Sequence, residues 1–400
     1  MKVLMINTVC GYGSTGSICT DIANALENEG NECFIAYGQG TTSYRNSYKI
    51  GTVLENHLHN LGSRIFGKQG YFTKTGTKKL INFIKVYKPD VIHLHNLHGN
   101  YLNLDILFEY LKDFSGKVFW TFHDCWPFTG KCAHYTSVGC YKWQSHCQKC
   151  PQIKEYPPSI FFDKSFEMFE DKYKRFLSVP DLKIITVSDW LKHQVEKSFF
   201  KKNKIRRIYN WVDHNTFSPK YGSDIVENYQ IQSGKFTVLC VSASWSIDNS
   251  KLQDLLSLAN SLQGEDIQII MIGVVIGNVN IPDNVISINY IGDKDSLAQL
   301  YSFSDVYLHL SSEDTFGKVI AEALSCGTPA IVYNSTACPE IIDSKTGIVV
   351  EDRNIESIKK SILKIKNKEV IFTSLDCRER VLENFDINKN INKTIDWYRE

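Results

Sequence analysis

The sequence predicts an α/β fold built from two doubly wound domains, each a parallel sheet covered by helices. Three observations lead there. The chain has 400 residues, more than one ordinary core organises and a good length for two domains. Its first half alternates strand-like and helix-like segments, the pattern of a parallel sheet with crossover helices. Its second half repeats that alternation after a polar join. Apolar residues make up 43% of the chain, which marks a globular protein rather than a disordered one.

In the first half, strands are expected at 2–7, 32–37, 91–94, 117–122 and 184–187. Helical periodicity covers 17–29, ending at Gly30, and 77–87, stopped by Pro89. Further helices are expected at 104–114 and from Asp189. In the second half, strands are expected at 236–241, 267–272, 306–310 and 329–333. Helices follow at 252–262, 296–303, 318–325 and 355–365. The stretch 378–400 reads as a helix carrying Trp397 and Tyr398. The join falls within 210–222. It gives domains 1–212 and 213–380, with 381–400 a helix packing back toward the first. Two such domains leave a cleft at the carboxyl ends of their sheets, where folds of this kind place ligands.

Charge and cysteine usage narrow the function classes. Formal net charge is +1, which excludes a broad nucleic-acid footprint. No apolar run approaches the roughly 20 residues needed to span a bilayer. The start, Met1-Lys-Val-Leu-Met-Ile-Asn7, reads as a first strand and lacks a signal peptide's cleavage region. A cytoplasmic location is therefore expected, with peripheral contact on the inner membrane face left open. Of twelve cysteines, five fall between Cys125 and Cys150. In a reducing compartment such a cluster suggests metal before disulfides. Cys132, Cys140, Cys147 and Cys150 include one C-x2-C pair, and four thiolates suffice for a closed, structural zinc site. A packed, reduced loop without metal is the other reading.

The densest chemistry lies in Ser311-Ser-Glu-Asp-Thr-Phe-Gly-Lys-Val-Ile-Ala-Glu322. Asp314 follows a strand, and Glu322 stands eight residues on, in the next helix. A turn at a helix N-terminus exposes N–H groups that anchor phosphate. A carboxylate in that helix can accept two hydrogen bonds from a ribose diol, and one at the turn can grip sugar hydroxyls. An acidic residue at an ordinary helix start is the bland reading.

Three features of the first half face the same cleft. Cys10-Gly-Tyr-Gly-Ser-Thr-Gly-Ser17 follows the first strand, and Gly13 and Gly16 let backbone N–H groups approach a ligand. A dinucleotide site is the rival, but no acid closes the second strand, which ends Ile35-Ala-Tyr-Gly38. Asp90-Val-Ile-His-Leu-His-Asn-Leu-His-Gly99 places His93 and His95 on one strand face, with His98 beyond. These three are read as buried polar support, with metal binding as the alternative. Trp120-Thr-Phe-His-Asp124 ends a strand at the expected cleft rim. This segment resembles the strand-end His of GT-B glycosyltransferases, which implies that His123 contacts sugar hydroxyls, with Asp124 orienting it or touching acceptor.

The segment 311–331 resembles the Glu-x7-Glu signature of the large retaining GT-B glycosyltransferase family (group 1, family 4). Within it, the first-half detail is similar to the bacterial capsule and colanic-acid branch. The residues that carry this are Gly-Ser-Thr-Gly at 13–16, Ile-His-Leu-His-Asn-Leu-His-Gly at 92–99, His-Asp-Cys-Trp-Pro-Phe-Thr-Gly-Lys-Cys at 123–132 and Cys-Gln-Lys-Cys-Pro at 147–151. Asn210-Trp-Val-Asp-His-Asn-Thr-Phe-Ser-Pro219 resembles the interdomain hinge. The resemblance implies that Glu322 holds the ribose, Asp314 contacts the donor sugar, and the backbone of Phe316, Gly317 and Lys318 approaches the diphosphate. Thr315 joins the donor-binding set. It implies a UDP- or GDP-sugar donor, a lipid-linked oligosaccharide acceptor, retention of configuration and no catalytic cofactor.

The chain departs from that pattern in places. The first acid is Asp314 where the pattern has Glu, and Glu313 beside it is an alternative. The Arg and Lys expected after the first strand of the second domain are replaced by Ser242-Ala-Ser-Trp-Ser-Ile-Asp-Asn-Ser-Lys251, and Ser17 stands for an Arg. Lys251 or Lys318 is left to neutralise the diphosphate. The bases of 192–207 form either a solvated face or a surface attracted to anionic lipid. Rival activities are a sugar-nucleotide epimerase or phosphorylase, and a nucleotide-sugar-binding scaffold without catalysis.

Overall fold

A computed structural model describes residues 1–220, 222 and 224–400. The chain divides into two compact units, Met1–Ile208 with Ile391–Glu400, and Tyr209–Asn390. The sequence reading had placed the divisions after residues 212 and 380. That expected join includes Tyr221, which lies outside the described residues.

The first unit runs β1 (Lys2–Asn7), α1 (Gly13–Asn28), β2 (Glu32–Tyr37), β3 (Ser47–Lys49), α2 (Val53–Phe66), α3 (Lys74–Tyr87), β4 (Val91–Leu94), α4 (Leu104–Leu111), β5 (Lys117–Phe122), α5 (Ser165–Phe176), β6 (Lys183–Thr186), α6 (Asp189–Lys197) and β7 (Lys204–Arg207). Its seven strands pair in the order β3-β2-β1-β4-β5-β6-β7, all parallel. Both faces of β5 are buried. Trp120 on it packs edge-on to Phe122 and Phe176, with ring centroids 5.0 and 4.8 Å away.

The second unit runs α7 (Asp224–Asn228), β8 (Phe236–Ser246), α8 (Ser250–Ser261), β9 (Ile267–Ile276), β10 (Val285–Ile288), α9 (Lys294–Phe303), β11 (Val306–His309), α10 (Lys318–Ser325), β12 (Ala330–Tyr333), α11 (Cys338–Ile341), β13 (Gly347–Val350), α12 (Ile355–Lys366) and α13 (Ser374–Asn384). Its sheet order is β10-β9-β8-β11-β12-β13, again parallel. Apolar residues of β8, β9, β11 and β12 and of helices α8 and α12 make its core. A last helix, α14 (Ile387–Arg399), ends the chain.

Strand order reverses between β1 and β4 in one unit and between β8 and β11 in the other. Such switch points open a crevice beyond the carboxyl ends of the strands. The glycine-rich loop and the His95–Gly99 segment follow β1 and β4. Lys251 and Asp314 follow β8 and β11 in the same way.

Four expectations change. The strands at 236–241 and 267–272 both run on, to Ser246 and Ile276, past an irregularity between Val241 and Ser244. The extension is held because Trp245 is buried and its indole N–H donates to the Ile272 carbonyl at 2.9 Å. The single helix expected at 378–400 is two. Asp386 breaks it, accepting the Lys389 N–H at 2.7 Å and so starting α14 afresh. The basic stretch 192–207 is partly neutralised, while Lys197, Lys201 and Lys202 stay exposed. Lys192, Lys204, Arg206 and Arg207 each pair with a carboxylate, Arg206 doubly with Glu400. Finally, α2 is absent from the sequence reading because its pattern is inverted. Its buried side is Asn56, His59, Gly62 and Ser63, while Val53, Leu54, Leu58, Leu61 and Phe66 lie exposed. Among the described residues, no helix is long and apolar enough to cross a membrane.

Candidate functional site

In the second unit the site grows from the end of β11. Tyr307 and His309 share one face of that strand, and the Tyr307 hydroxyl meets His309 Nδ1 at 3.0 Å. The other ring nitrogen, Nε2, lies 2.7 Å from Asp314 Oδ2. Asp314 is fixed from its backbone too. Its N–H donates to Thr336 Oγ1 at 3.0 Å, and its carbonyl accepts the Ala337 N–H at 3.1 Å. Burial raises the pKa of this carboxyl, but the His309 hydrogen bond and the charges of His309 and Lys251 overcome it, and the net shift is downward. Asp314 is therefore an ionised carboxylate held at a set angle. The structure thus brings Lys251, predicted only as a displaced substitute, into the field of Asp314.

Glu313, Asp314 and Thr315 occupy the turn, half-buried. Phe316 turns its ring inward against Tyr209 and Phe385, so only its backbone is available to a ligand. Gly317 starts α10 with φ of +81°, where a Cβ would stand 2.7 Å from Ile320 Cδ1. Only glycine fits this left-handed, crowded position. No side chain caps α10, so its leading N–H groups are available to an anion. Lys318 is its first residue. Glu322 lies one turn on and is buried, which pushes its carboxyl up, against the opposing charges of Lys318 and Lys294. A buried acid whose pKa is raised, with the Tyr301 hydroxyl beside it, suits a neutral hydrogen-bonding ligand such as a diol.

In the first unit, Gly13 and Gly16 begin α1, which also lacks a side-chain cap. A Cβ on Gly16 would press on Val9 Cγ2 at 3.0 Å and the Gly11 nitrogen at 3.3 Å, because the loop folds back to give the Gly11 N–H to the Gly16 carbonyl. The histidines form a relay of rings. His93 joins the Tyr398 hydroxyl at 2.5 Å and Thr121 Oγ1 at 2.7 Å. His95 Nδ1 meets His123 Nε2 at 3.0 Å, with the two rings stacked. Desolvation lowers His93 to about 3 and His123 to about 4, so both imidazoles are neutral at pH 7. His98 goes elsewhere, to Asp124 Oδ2 at 2.7 Å and the Tyr156 hydroxyl at 2.9 Å. The three sequence-adjacent histidines thus have separate partners rather than one shared ion. Asp124 also accepts the Trp126 N–H at 2.9 Å. Despite burial, His98 and this N–H hold Asp124 down at about 2. Its carboxylate is committed to His98 and the turn at Trp126.

Sequence reading missed His309, Thr336 and Lys294. His309 carried a signal: it sits two residues after Tyr307 on a strand, five residues before the motif's first acid, Asp314. Thr336 and Lys294 come from distant segments and carried none. A cavity of about 710 Å³ beside Gly11, Thr20 and Glu27 in the first unit holds none of the predicted residues.

Comparison with known proteins agrees with this geometry. The family model "Glycosyltransferase Family 4" matches residues 15–216, and "Glycosyl transferases group 1" matches 225–384. WcaC of Escherichia coli K12, named for colanic acid biosynthesis as a glycosyl transferase, is 25% identical over 375 residues, covering 89% of this chain and 88% of WcaC. A glycosyltransferase from Rickettsia africae has a similar structure, with TM-score 0.71 and 18% identity, covering 100% of this chain and 97% of that one. HepE of Anabaena, solved in complex with UDP and glucose, gives TM-score 0.67 at 14% identity, with all of both chains covered. Two parallel-sheet Rossmann-like domains of this kind are the GT-B fold, and both matching family models are those of glycosyltransferases. The chain belongs to glycosyltransferase family 4.

Proposed function

We propose that this glycosyltransferase moves a sugar from a nucleoside-diphosphate sugar to a hydroxyl of a growing, lipid-linked surface glycan, with retention of configuration. The observation that carries this is the β8/β11 switch point, where the uncapped α10 N-terminus, ionised Asp314 and nearby Lys251 meet. The helix N–H groups with Lys251 or Lys318 suit a diphosphate, Glu322 the ribose and Asp314 the sugar. The bond from the anomeric carbon to phosphate oxygen breaks, and the acceptor oxygen bonds to that carbon on the same face. The acceptor's proton passes to the departing phosphate, so no metal is required. Neutral His123 serves a sugar hydroxyl. The relative named for colanic acid synthesis supports the surface-glycan acceptor.

The test is a thermal-shift screen against a panel of nucleotide sugars, followed by product analysis with lipid-linked acceptors. Asp314→Asn is expected to keep the nucleotide-induced shift and lose roughly a hundredfold in turnover, since a preorganised charge acts mainly in the transition state. Epimerised donor without acceptor, phosphorolysis, or binding without any turnover would each overturn the transfer reading.

A lipid-linked acceptor requires approach to a bilayer, and α2 supplies the means. Its inward side chains tie loops together: Asn56 donates to the Gly38 carbonyl, and His59 joins Thr73 and the Gly70 N–H. Its apolar side therefore faces solvent, beside exposed Ile160, Phe161 and Phe162 and near Arg64 and Lys68. An exposed apolar face flanked by bases is the pattern of a helix lying in an anionic membrane surface. Combined Leu54→Ser, Leu58→Ser and Leu61→Ser should weaken co-sedimentation with phosphatidylglycerol-containing vesicles on the order of a hundredfold. Turnover on a soluble acceptor should be unchanged. Equal sedimentation of both proteins would remove this assignment.

A further inference from the structure

We infer that Cys132, Cys140, Cys147 and Cys150 hold one zinc ion as a four-thiolate site, with Lys131 and Lys172 balancing its charge. The fold collects residues spread over nineteen positions, from 132 to 150, around one small cavity. That cavity, of about 20 Å³, is lined by all four cysteines, and a space of this size takes a single water or ion. All four thiols are free. The Gly130 N–H already donates to Cys147 Sγ at 3.1 Å, and the Gln152 N–H serves Cys150. Backbone donors to sulfur are what a thiolate needs and a neutral thiol does not.

The cavity carries the assignment, and the lysines are consistent with it. Lys131 and Lys172 are both buried. Lys131 donates to the carbonyls of Gln152, Glu155 and Pro157, and Lys172 to those of Trp126 and Thr129. Among the described residues, neither has an ion pair with a carboxylate. Buried ammonium groups are costly unless negative charge stands near them. Lys131 lies in the field of Cys150 and Cys132, then of Asp163 and Glu155, and Lys172 in that of Cys147 and Cys132, then of Asp124. Zinc binding releases four thiol protons and leaves a centre of net charge −2, which two ammonium groups neutralise.

The sulfurs must draw together to close on an ion at about 2.3 Å each. Among the described residues, His309, Asp314 and Cys338 are the groups whose ligand atoms lie within 4.8 Å of one another, and no three of the four loop sulfurs stand that close. Cys140, Cys147 and Cys150 are only half-buried and have room to turn inward.

The experiment uses the full chain purified with a thiol reductant and no added metal. Metal analysis should find about one zinc per chain. After chelation, cobalt(II) should restore a sulfur-to-metal charge-transfer band with tetrahedral ligand-field absorption. Zinc alone should protect these four cysteines, and no others, from alkylation mapped by mass spectrometry. Cys140→Ser with Cys150→Ser should abolish band and protection while the nucleotide-induced thermal shift persists, which shows that the variant is folded. Less than half an equivalent of zinc together with no cobalt band overturns the site. So does zinc retained in full by the double variant, or protection falling on other cysteines.

Discussion

Glu322→Ala should remove the thermal shift that a nucleotide donor produces and weaken donor affinity by a hundredfold or more. Two hydrogen bonds to a charged acceptor contribute roughly 3–6 kcal/mol together, and every 1.4 kcal/mol is about tenfold. The same change should not destabilise the free protein through its charge, and Glu322→Gln should stabilise it. Burial raises this carboxyl above its unfolded value. Between those two values the folded state holds the proton and the unfolded state does not, so stability falls as pH rises through that window. Above that window the ionised Glu322 is thus a cost that the donor offsets. Calorimetric titration with the nucleoside diphosphate, beside melting curves without it, separates the two effects. Unchanged affinity in Glu322→Ala would mean that the nucleotide binds elsewhere.

The second large effect concerns acid. His93, His95 and His123 all sit below the usual histidine range, first because their rings are desolvated and then because each feels a neighbouring imidazole. A histidine lowered on folding takes up its proton more readily when unfolded. Its contribution is intact above the unfolded value near 6.5 and is lost as pH falls toward the folded value. Three such rings together remove roughly 4 kcal/mol per pH unit below about 6. Against a domain stability of about 5–15 kcal/mol, the first unit should unfold between about pH 5 and 4. Tryptophan fluorescence at Trp120 and Trp126 follows this directly. His95→Asn should make the dependence shallower by about one proton; a pH-independent melt from 7 to 4 would contradict the neutral histidine stack. Asp124 adds a separate loss only lower, between its ordinary range and about 2.

The strands were legible because buried parallel strands are short apolar runs punctuated by glycine, proline or polar turns. Lys2–Asn7, Val91–Leu94 and Lys117–Phe122 carry that signature without ambiguity. The elements that escaped do so for stated reasons. β3 is three residues long, with all three side chains half-buried. The break at Asp386 looks like any acidic residue inside a helical pattern until its carboxylate is seen capping a new turn. Helix α2 defeats pattern reading altogether, since the rule that apolar faces point inward fails where the inward face ties loops by hydrogen bonds.

The same division runs through the candidate site. The sequence by itself determined the α/β class, the two-sheet organisation, and the strand-end positions of His123 and Asp314 with Glu322 in the helix beyond. These follow from local periodicity and from spacing along one chain. Only the tertiary structure decided the partners. It gave Asp314 to His309 and brought Lys251 near it, committed Asp124 to His98, paired four of the bases of 192–207, and drew four scattered cysteines and buried Lys131 around one cavity. Those choices depend on which strand ends lie side by side and which charges share a buried space, and neither is written in the order of the residues.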